Sequence, residues 1–341
     1  MGAAALSSRA IIGSLYYKIE QAGRVGWVPK ISRLFKSDQK TETYPWLGQT
    51  PALREWVGER QAKGLRDNNA VTIENLLFEA TLPVDVREHR RDHSGQINAR
   101  IDDLASRAAQ HWAKLLSTII NNGHASTSGL AYDGQFFFDT DHVDVGAPNQ
   151  TAQDNDLASD ISTLPVPQHG SITAPSAGEL ALSILAGVNQ ILGFKDDQSE
   201  PINDGASEFL VMVPVGLYQA ALAAVYNSHL EEGSVNPVQA TKQAGRIGIE
   251  VVQNSRLTNT STVFVFRTMA PVPSFIRQAE VPAPMGRSEG TDADSEADIV
   301  ISALAEGSEE EFKNHRHLYG VEASRNVGFA YWQTACRVEL I

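Results

Sequence analysis

The stretch "YDGQFFFDTDHV", residues 132–143, sets three phenylalanines against two aspartates and a histidine. Carboxylates two positions apart with an adjacent imidazole can chelate a cation. On a strand, however, Asp139 and Asp141 would share one face while His142 points to the other. The plainer reading is a structural corner: Phe136 and Phe138 anchor a strand in the core, and Asp139, Asp141 and His142 cap its exit. The first reading makes the chain an enzyme and the second makes it a building block.

Just upstream lies the clearest element in the chain, "NARIDDLASRAAQHWAKLLSTIINNG" (98–123). Ile101, Leu104, Ala108, Trp112, Leu115, Leu116 and Ile119 recur at three- and four-residue spacing and mark one helical face. Asp102 and Asp103 favour the first turn, and Gly123 is expected to supply a left-handed stop. The pattern predicts one rod over 97–122, roughly 36 Å long at 1.5 Å per residue. His111, in its middle, reads as a packed or solvent-facing side chain ahead of a ligand.

Before this helix, "YPWLGQTPALREWVGERQAKGL" (44–65) breaks its apolar residues with Pro45, Gly48 and Pro51, which favour turns. "AVTIENLLFEATLPVDVREHR" (70–90) partly alternates, as an extended hairpin strand does. From Arg54 to Arg100, eight basic residues face eight acids. A segment so mixed and extended has little core of its own. Residues 1–40, with the amphipathic "AIIGSLYYKIEQ", read as an arm that packs on something else.

After 143 the chain is loop-rich to residue 176. Helical spacing returns in "SAGELALSILAGVNQILGF", and "SEFLVMVPVGLYQAALAAVYNSH" passes from a buried strand into an alanine-rich helix. "RIGIEVVQN", "STVFVFR" and the C-terminal residues read as strands. Helices and strands mix without strict alternation or a dinucleotide fingerprint, so the fold class is α+β.

Composition narrows the function. Of 341 residues 42% are apolar and 20% charged, as in ordinary globular chains. No apolar run reaches the roughly 18 residues of a membrane span, and "MGAAALSSRAIIGS" lacks the basic start of a secretory signal. The single cysteine, Cys336, excludes internal disulfides, suits a reducing cytoplasm and favours buried packing over a reactive thiol. A net charge of −13 opposes broad nucleic-acid binding. Ten acids against Arg287 alone between Glu280 and Glu311 make that span the chief source of the imbalance, read as a solvated surface. Nothing supplies a nucleophile elbow, a phosphate loop or an H-E-x-x-H helix. Arg90, Arg91 and His93 read as a charged turn ahead of a phosphate contact.

The order of segments carries more than any single motif. The W-L-G…P-x-L-x-E-W-V-G block at 46–58, the long helix, and then Y-D-G-Q-x-F-F-D…H at 132–142 together resemble the major head subunit of Mu-like phages and prophages. The resemblance covers roughly residues 7–145 and is looser beyond. It departs at Val143, where many members have proline after the histidine.

The resemblance implies the tailed-phage capsid shell fold (HK97-type), with an N-terminal arm (1–40) and an extended loop (41–95). It further implies a peripheral domain with a spine helix (96–177), an axial domain (178–282) and a return to the peripheral domain (283–341). Its implied role is a major capsid protein that assembles into pentamers and hexamers around double-stranded DNA, without sequence-specific binding. Portal, scaffold or decoration proteins would be partners, with assembly in the host bacterial cytoplasm and no membrane, cofactor, metal or catalytic residue. Trp46, Leu47, Trp56, Val57, Arg60, Arg87, Arg90 and Arg91 are the expected inter-subunit contacts, because buried aromatics and arginines carry much interface energy. Two other readings stand beside it. One is a metal-dependent hydrolase using Asp139, Asp141 and His142; the other is the same shell serving a gene-transfer particle or protein nanocompartment.

Overall fold

The computed structural model describes residues 8–21, 25–46, 69–91, 95–143, 151–166, 171–196, 199–230, 233–245, 247–280 and 298–341. It opens with α1 (Ser8–Gln21), whose Ile11, Leu15 and Ile19 are buried at four-residue spacing. The short α2 (Val28–Ile31) has proline in its first turn, where a missing N–H costs nothing. Strands β1 (Ser32–Ser37), β2 (Thr41–Trp46), β3 (Asn69–Glu74) and β4 (Leu76–Asp85) follow. Then come the helices α3 (Val86–Arg91), α4 (Gln96–Ala109) and α5 (His111–Asn122). The next elements are β5 (Asp156–Ser159), α6 (Ala177–Gly193), β6 (Glu208–Val213), α7 (Tyr218–Tyr226) and α8 (Pro237–Gln243). Strands β7 (Gly248–Gln253), β8 (Thr262–Arg267), β9 (Phe275–Glu280) and β10 (Ile299–Leu304) precede α9 (Glu309–Asn314), and β11 (Arg316–Phe329) and β12 (Ala335–Leu340) end the chain.

Two five-stranded sheets organise these elements. The first runs β1–β9–β11–β10, with β4 also paired to β11. Its axis is the fourteen-residue β11, which alternates buried and more exposed positions as a strand with one covered face should. Under it, α1 and α4 bury Ile11, Leu15, Ile19, Ile97 and Ile101 against Tyr319 and Val321. The second sheet runs β5–β12–β8–β6–β7. Strands β6 and β8 are buried almost throughout, which requires cover on both faces. Helix α6 lies against β8 and β12, entered through a capping box in which Ser176 and Glu179 satisfy each other's backbone N–H groups. Outside both ladders, β2 and β3 form an antiparallel pair that packs on the first sheet, with Ile73 against Ile276 and Ala330.

Several expectations change. The single rod over 97–122 is two helices that meet at Gln110. Backbone bonds from Gln110 N–H to Ser106 O and from Lys114 N–H to Gln110 O carry the path across. The Gln110 side chain there accepts from Arg256 Nη2 at 3.1 Å. Gly123 does not adopt a left-handed stop: its φ is −66°. It is glycine for space, because a Cβ there would lie 2.9 Å from the Phe138 ring. Strand β1 joins the first sheet although its residues fall in the expected arm, and β4 does so although its residues fall in the expected loop. Strand β12 enters the second sheet instead of the first, and its nearly continuous burial suits a strand flanked by β5 and β8. Strands β9 and β10 were not legible as strands. Asp298, one of the ten acids read as solvated, is buried beside Arg325.

Helix α6 approaches the second sheet closely at Gly187, where an added Cβ would lie 2.9 Å from Val265 Cγ2 and 3.0 Å from Val338 Cγ2. β-branched side chains held in a sheet give way poorly. We expect Gly187→Ala to destabilise the subunit by about 1–3 kcal/mol in urea unfolding, despite alanine's better helix propensity. An unchanged or raised midpoint would show that α6 can lift off the sheet without cost.

Candidate functional site

The corner at 132–142 sits where the two sheets meet, and its local structure is turn and bend, not strand. That changes which phenylalanines go inward. Phe137 and Phe138 are buried, while Phe136 is only half-buried. The Phe137 ring stacks on Phe329 of β11 at 4.7 Å and lies 5.0 Å from Phe275 of β9. Phe138 turns to the second sheet, 5.5 Å from Phe264 of β8, and its N–H donates to Gly123 O at 2.9 Å. Neighbouring residues thus pin different sheets.

His142 is fully buried, and its partners are not those expected. Its Nδ1 lies 2.6 Å from Asp133 Oδ2 and its Nε2 lies 3.2 Å from Asn155 Oδ1. The ring stacks on Trp332 at 4.1 Å with 10° between planes. Asn155 donates through Nδ2 to Phe137 O and Trp332 O. Its Oδ1 is therefore the acceptor, taking both the Asp139 N–H and the His142 Nε2–H. Two backbone bonds between His142 and Gln153 complete the fastening. Asp139 spends its oxygens on the N–H groups of Phe136 and Thr140, and Asp141 is exposed. The three residues of the metal reading do not converge. Among the described residues, no group of three or more His, Cys, Asp or Glu side chains is placed to hold a metal ion.

A second polar cluster lies within the first sheet. Trp112 of α5 is buried with the Arg325 guanidinium 4.5 Å and the Arg277 guanidinium 5.6 Å from its ring, within cation–π range. Arg325 Nε donates to Asp298 Oδ2 at 2.6 Å, and Arg277 Nε donates to Ser32 Oγ at 2.9 Å. Burial pushes the Asp298 carboxyl above the usual range, against the opposing pull of Arg325. His111 packs edge-on against Phe78 at 4.5 Å. Its pKa is lowered to about 4, first by burial and then by Arg325 and Lys114. Cys336 is buried in β12, and burial raises its thiol pKa well above the ordinary range, as an inert packing residue requires.

Of the expected contact residues, Leu47, Trp56, Val57 and Arg60 lie outside the described residues. Trp46 ends β2 opposite Asn69, and Arg90 lies on α3; the side chains of both are outside the description. Arg87 and Arg91 are exposed on α3. Sequence reasoning missed Asp133, Asn155 and Trp332. Asp133 lay in plain view inside the quoted motif, but the others are brought in only by the tertiary fold. No helix among the described residues is long and apolar enough to cross a membrane.

We expect His142→Phe, which keeps a ring on Trp332 but removes both nitrogens, to cost about 2–5 kcal/mol, because Asp133 loses a buried partner. Thermal melting of the variant should show that loss, and neither EDTA nor Zn²⁺ should move the wild-type melting temperature; a zinc-dependent rise would revive the metal reading. His111 gives a pH dependence of definite sign. With its folded pKa below the unfolded value of about 6.5, the unfolded chain binds the extra proton. Its stability contribution is complete above about pH 6.5 and falls away as the pH drops toward 4. Urea midpoints compared between wild type and His111→Leu should therefore shift in the variant's favour across that window. A constant difference would contradict the assignment.

Residues 16–164 match the family model of the Mu-like prophage major head subunit gpT. The Mu-like prophage FluMu major head subunit of Haemophilus influenzae is 30% identical over 129 residues, covering 37% of this chain and 41% of the relative. The major capsid protein of Escherichia phage Mu is 30% identical over 113 residues, covering 33% and 36%. The matched region thus spans about two fifths of the length of these relatives. In structure, the subunit of the bacteriophage JBD30 procapsid aligns with 97% of this chain and 74% of its own, at TM-score 0.50 and 19% identity. The capsid of cyanophage P-SCSP1u aligns with 94% and 89%, at TM-score 0.53 and 10% identity. The chain has the tailed-phage capsid fold along nearly its whole length and matches the Mu-like major head subunit family across residues 16–164.

Proposed function

We propose that this chain is the major capsid protein of a Mu-like phage or prophage. Copies associate as pentamers and hexamers and close into an icosahedral head around double-stranded DNA. The observation that carries this reading is an unfinished surface on a finished fold. Among the described residues β4 pairs with β11 alone, so ten residues of strand leave one edge open. Its Leu77 is 71% exposed and Leu76 is 47% exposed. A long apolar edge strand is a liability in a monomer and an asset in a subunit whose neighbours cover it.

On this reading residues 1–40 form an arm and 41–95 an extended loop. Residues 96–177 and 283–341 form the peripheral domain, and 178–282 the axial domain. The two sheets cross these bounds: β1, β4 and β9 lie in the peripheral sheet, and β5 and β12 lie in the axial one. Trp46, Leu47, Trp56, Val57, Arg60, Arg87, Arg90 and Arg91 supply contacts to neighbouring copies, each interface burying on the order of 1,000 Å² or more. The acidic balance of −13 suits a shell along which packaged DNA slides without sticking. Portal, scaffold or decoration proteins complete the particle in the host bacterial cytoplasm. The match to the Mu-like major head subunit family supports a structural role.

The purified chain, followed by size-exclusion chromatography and negative-stain microscopy across salt and concentration, is expected to form capsomers or closed shells. Trp46→Ala combined with Trp56→Ala should shift it toward monomer. A wild-type chain that stays monomeric under every condition would contradict the proposal. Nucleic acid extracted from the particles separates a phage head or gene-transfer particle from an empty nanocompartment.

A further inference from the structure

Helix α9 buries none of its residues, and Phe312 at its middle is 86% exposed, more than any other large apolar side chain among the described residues. Leu304, at the end of β10, is 53% exposed. The helix is nevertheless held firmly. Ser308 Oγ caps the Glu311 N–H at 3.2 Å, and the Gly307 N–H donates to Glu311 Oε2 at 2.7 Å. Lys313 pairs with Glu309 and Arg316 with Glu310, and His317 Nε2 lies 3.4 Å from Glu311 Oε1, which fixes the three carboxylates. Phe312 is therefore presented on a fixed acidic support, not left loose.

Helix α3 adjoins this support. The Val86 N–H donates to His315 O at 2.9 Å, and Asp85 of β4 faces Arg316 of β11. Along α3, Arg87, Arg90 and Arg91 outnumber Glu88. Arg87 and Arg91 are exposed, and Arg87 lies near enough to Asp85 to help lower its carboxyl pKa. One end of the first sheet thus carries a helix of net negative charge with a projecting aromatic ring, beside a helix of net positive charge.

We propose that these two faces dock on each other in different copies of the chain. Phe312 and the acids of α9 on one subunit settle against Arg87 and Arg91 of α3 on a second. A guanidinium over a phenyl ring gains cation–π attraction, and aromatic–arginine pairs are enriched at the energetic centres of interfaces. Like charge opposes α9 against α9 and α3 against α3. The contact is therefore head-to-tail, the type that closes a ring when its rotation permits. This inference rests on the assembly reading and assigns one of its contacts to this tip.

The test measures the protein concentration at which shells form, by light scattering and microscopy, alongside thermal melting of the free subunit. Phe312→Ala should leave melting unchanged and raise that concentration at least about tenfold. Glu309→Lys and Arg91→Glu should each weaken assembly, and the two combined should recover a substantial part of it. Assembly of Phe312→Ala at the wild-type concentration, or a combined variant no better than either single one, overturns the inference while the capsid reading stands. Failure of the wild type to assemble at all removes both.

Discussion

The structure depends on two adjacent aromatic rings pointing into different sheets. Phe137 closes on Phe275 and Phe329 of the first sheet, and Phe138 closes on Phe264 of the second. Each ring is fully buried and stabilises by roughly 1.5–3 kcal/mol. Their consecutive placement means that neither sheet can shift without unseating its neighbour. The backbone that carries them is irregular, so its polar groups need partners outside a ladder. Asn155 meets that need by bonding Phe137 O, Trp332 O, Asp139 N–H and His142 at once. Interiors packed in this way transmit force instead of absorbing it.

Against that rigid joint stands a periphery that the single chain leaves incomplete. The open edge of β4, with Leu76 and Leu77, and the projecting Phe312 expose groups that a monomeric protein would hide. The division is physically coherent. Free energy concentrated in the sheets and their joint keeps the subunit's shape, and free energy withheld at the edges is available for association.

Much of this was legible in the sequence, and the failures have identifiable causes. The helical faces of α1, α4 and α6 follow from apolar spacing, and the buried strands β6 and β8 from continuous apolar runs. Strand β9, "FIRQAE", was hidden because its Arg277 and Gln278 are polar yet buried, satisfied by Ser32, Tyr44 and the Ile73 carbonyl. Strand β10 was masked by the acids around it, one of which, Asp298, turns inward to Arg325. In the corner, alternation wrongly paired Phe136 with Phe138, because a period of two holds only for a strand. The metal reading failed for a related reason. Proximity in sequence placed His142 with Asp139 and Asp141, whereas the turn around Gly134 hands it to Asp133 instead.

The most direct test of the account compares backbone hydrogen exchange in free subunits and assembled particles. The account predicts that amides of β2, β3 and the open edge of β4 exchange markedly more slowly after assembly, while the buried amides of β6 and β8 are protected equally in both. Unchanged exchange across 41–46 and 69–85 would mean that no neighbour completes those strands, and the reading of the chain as a shell subunit would fail.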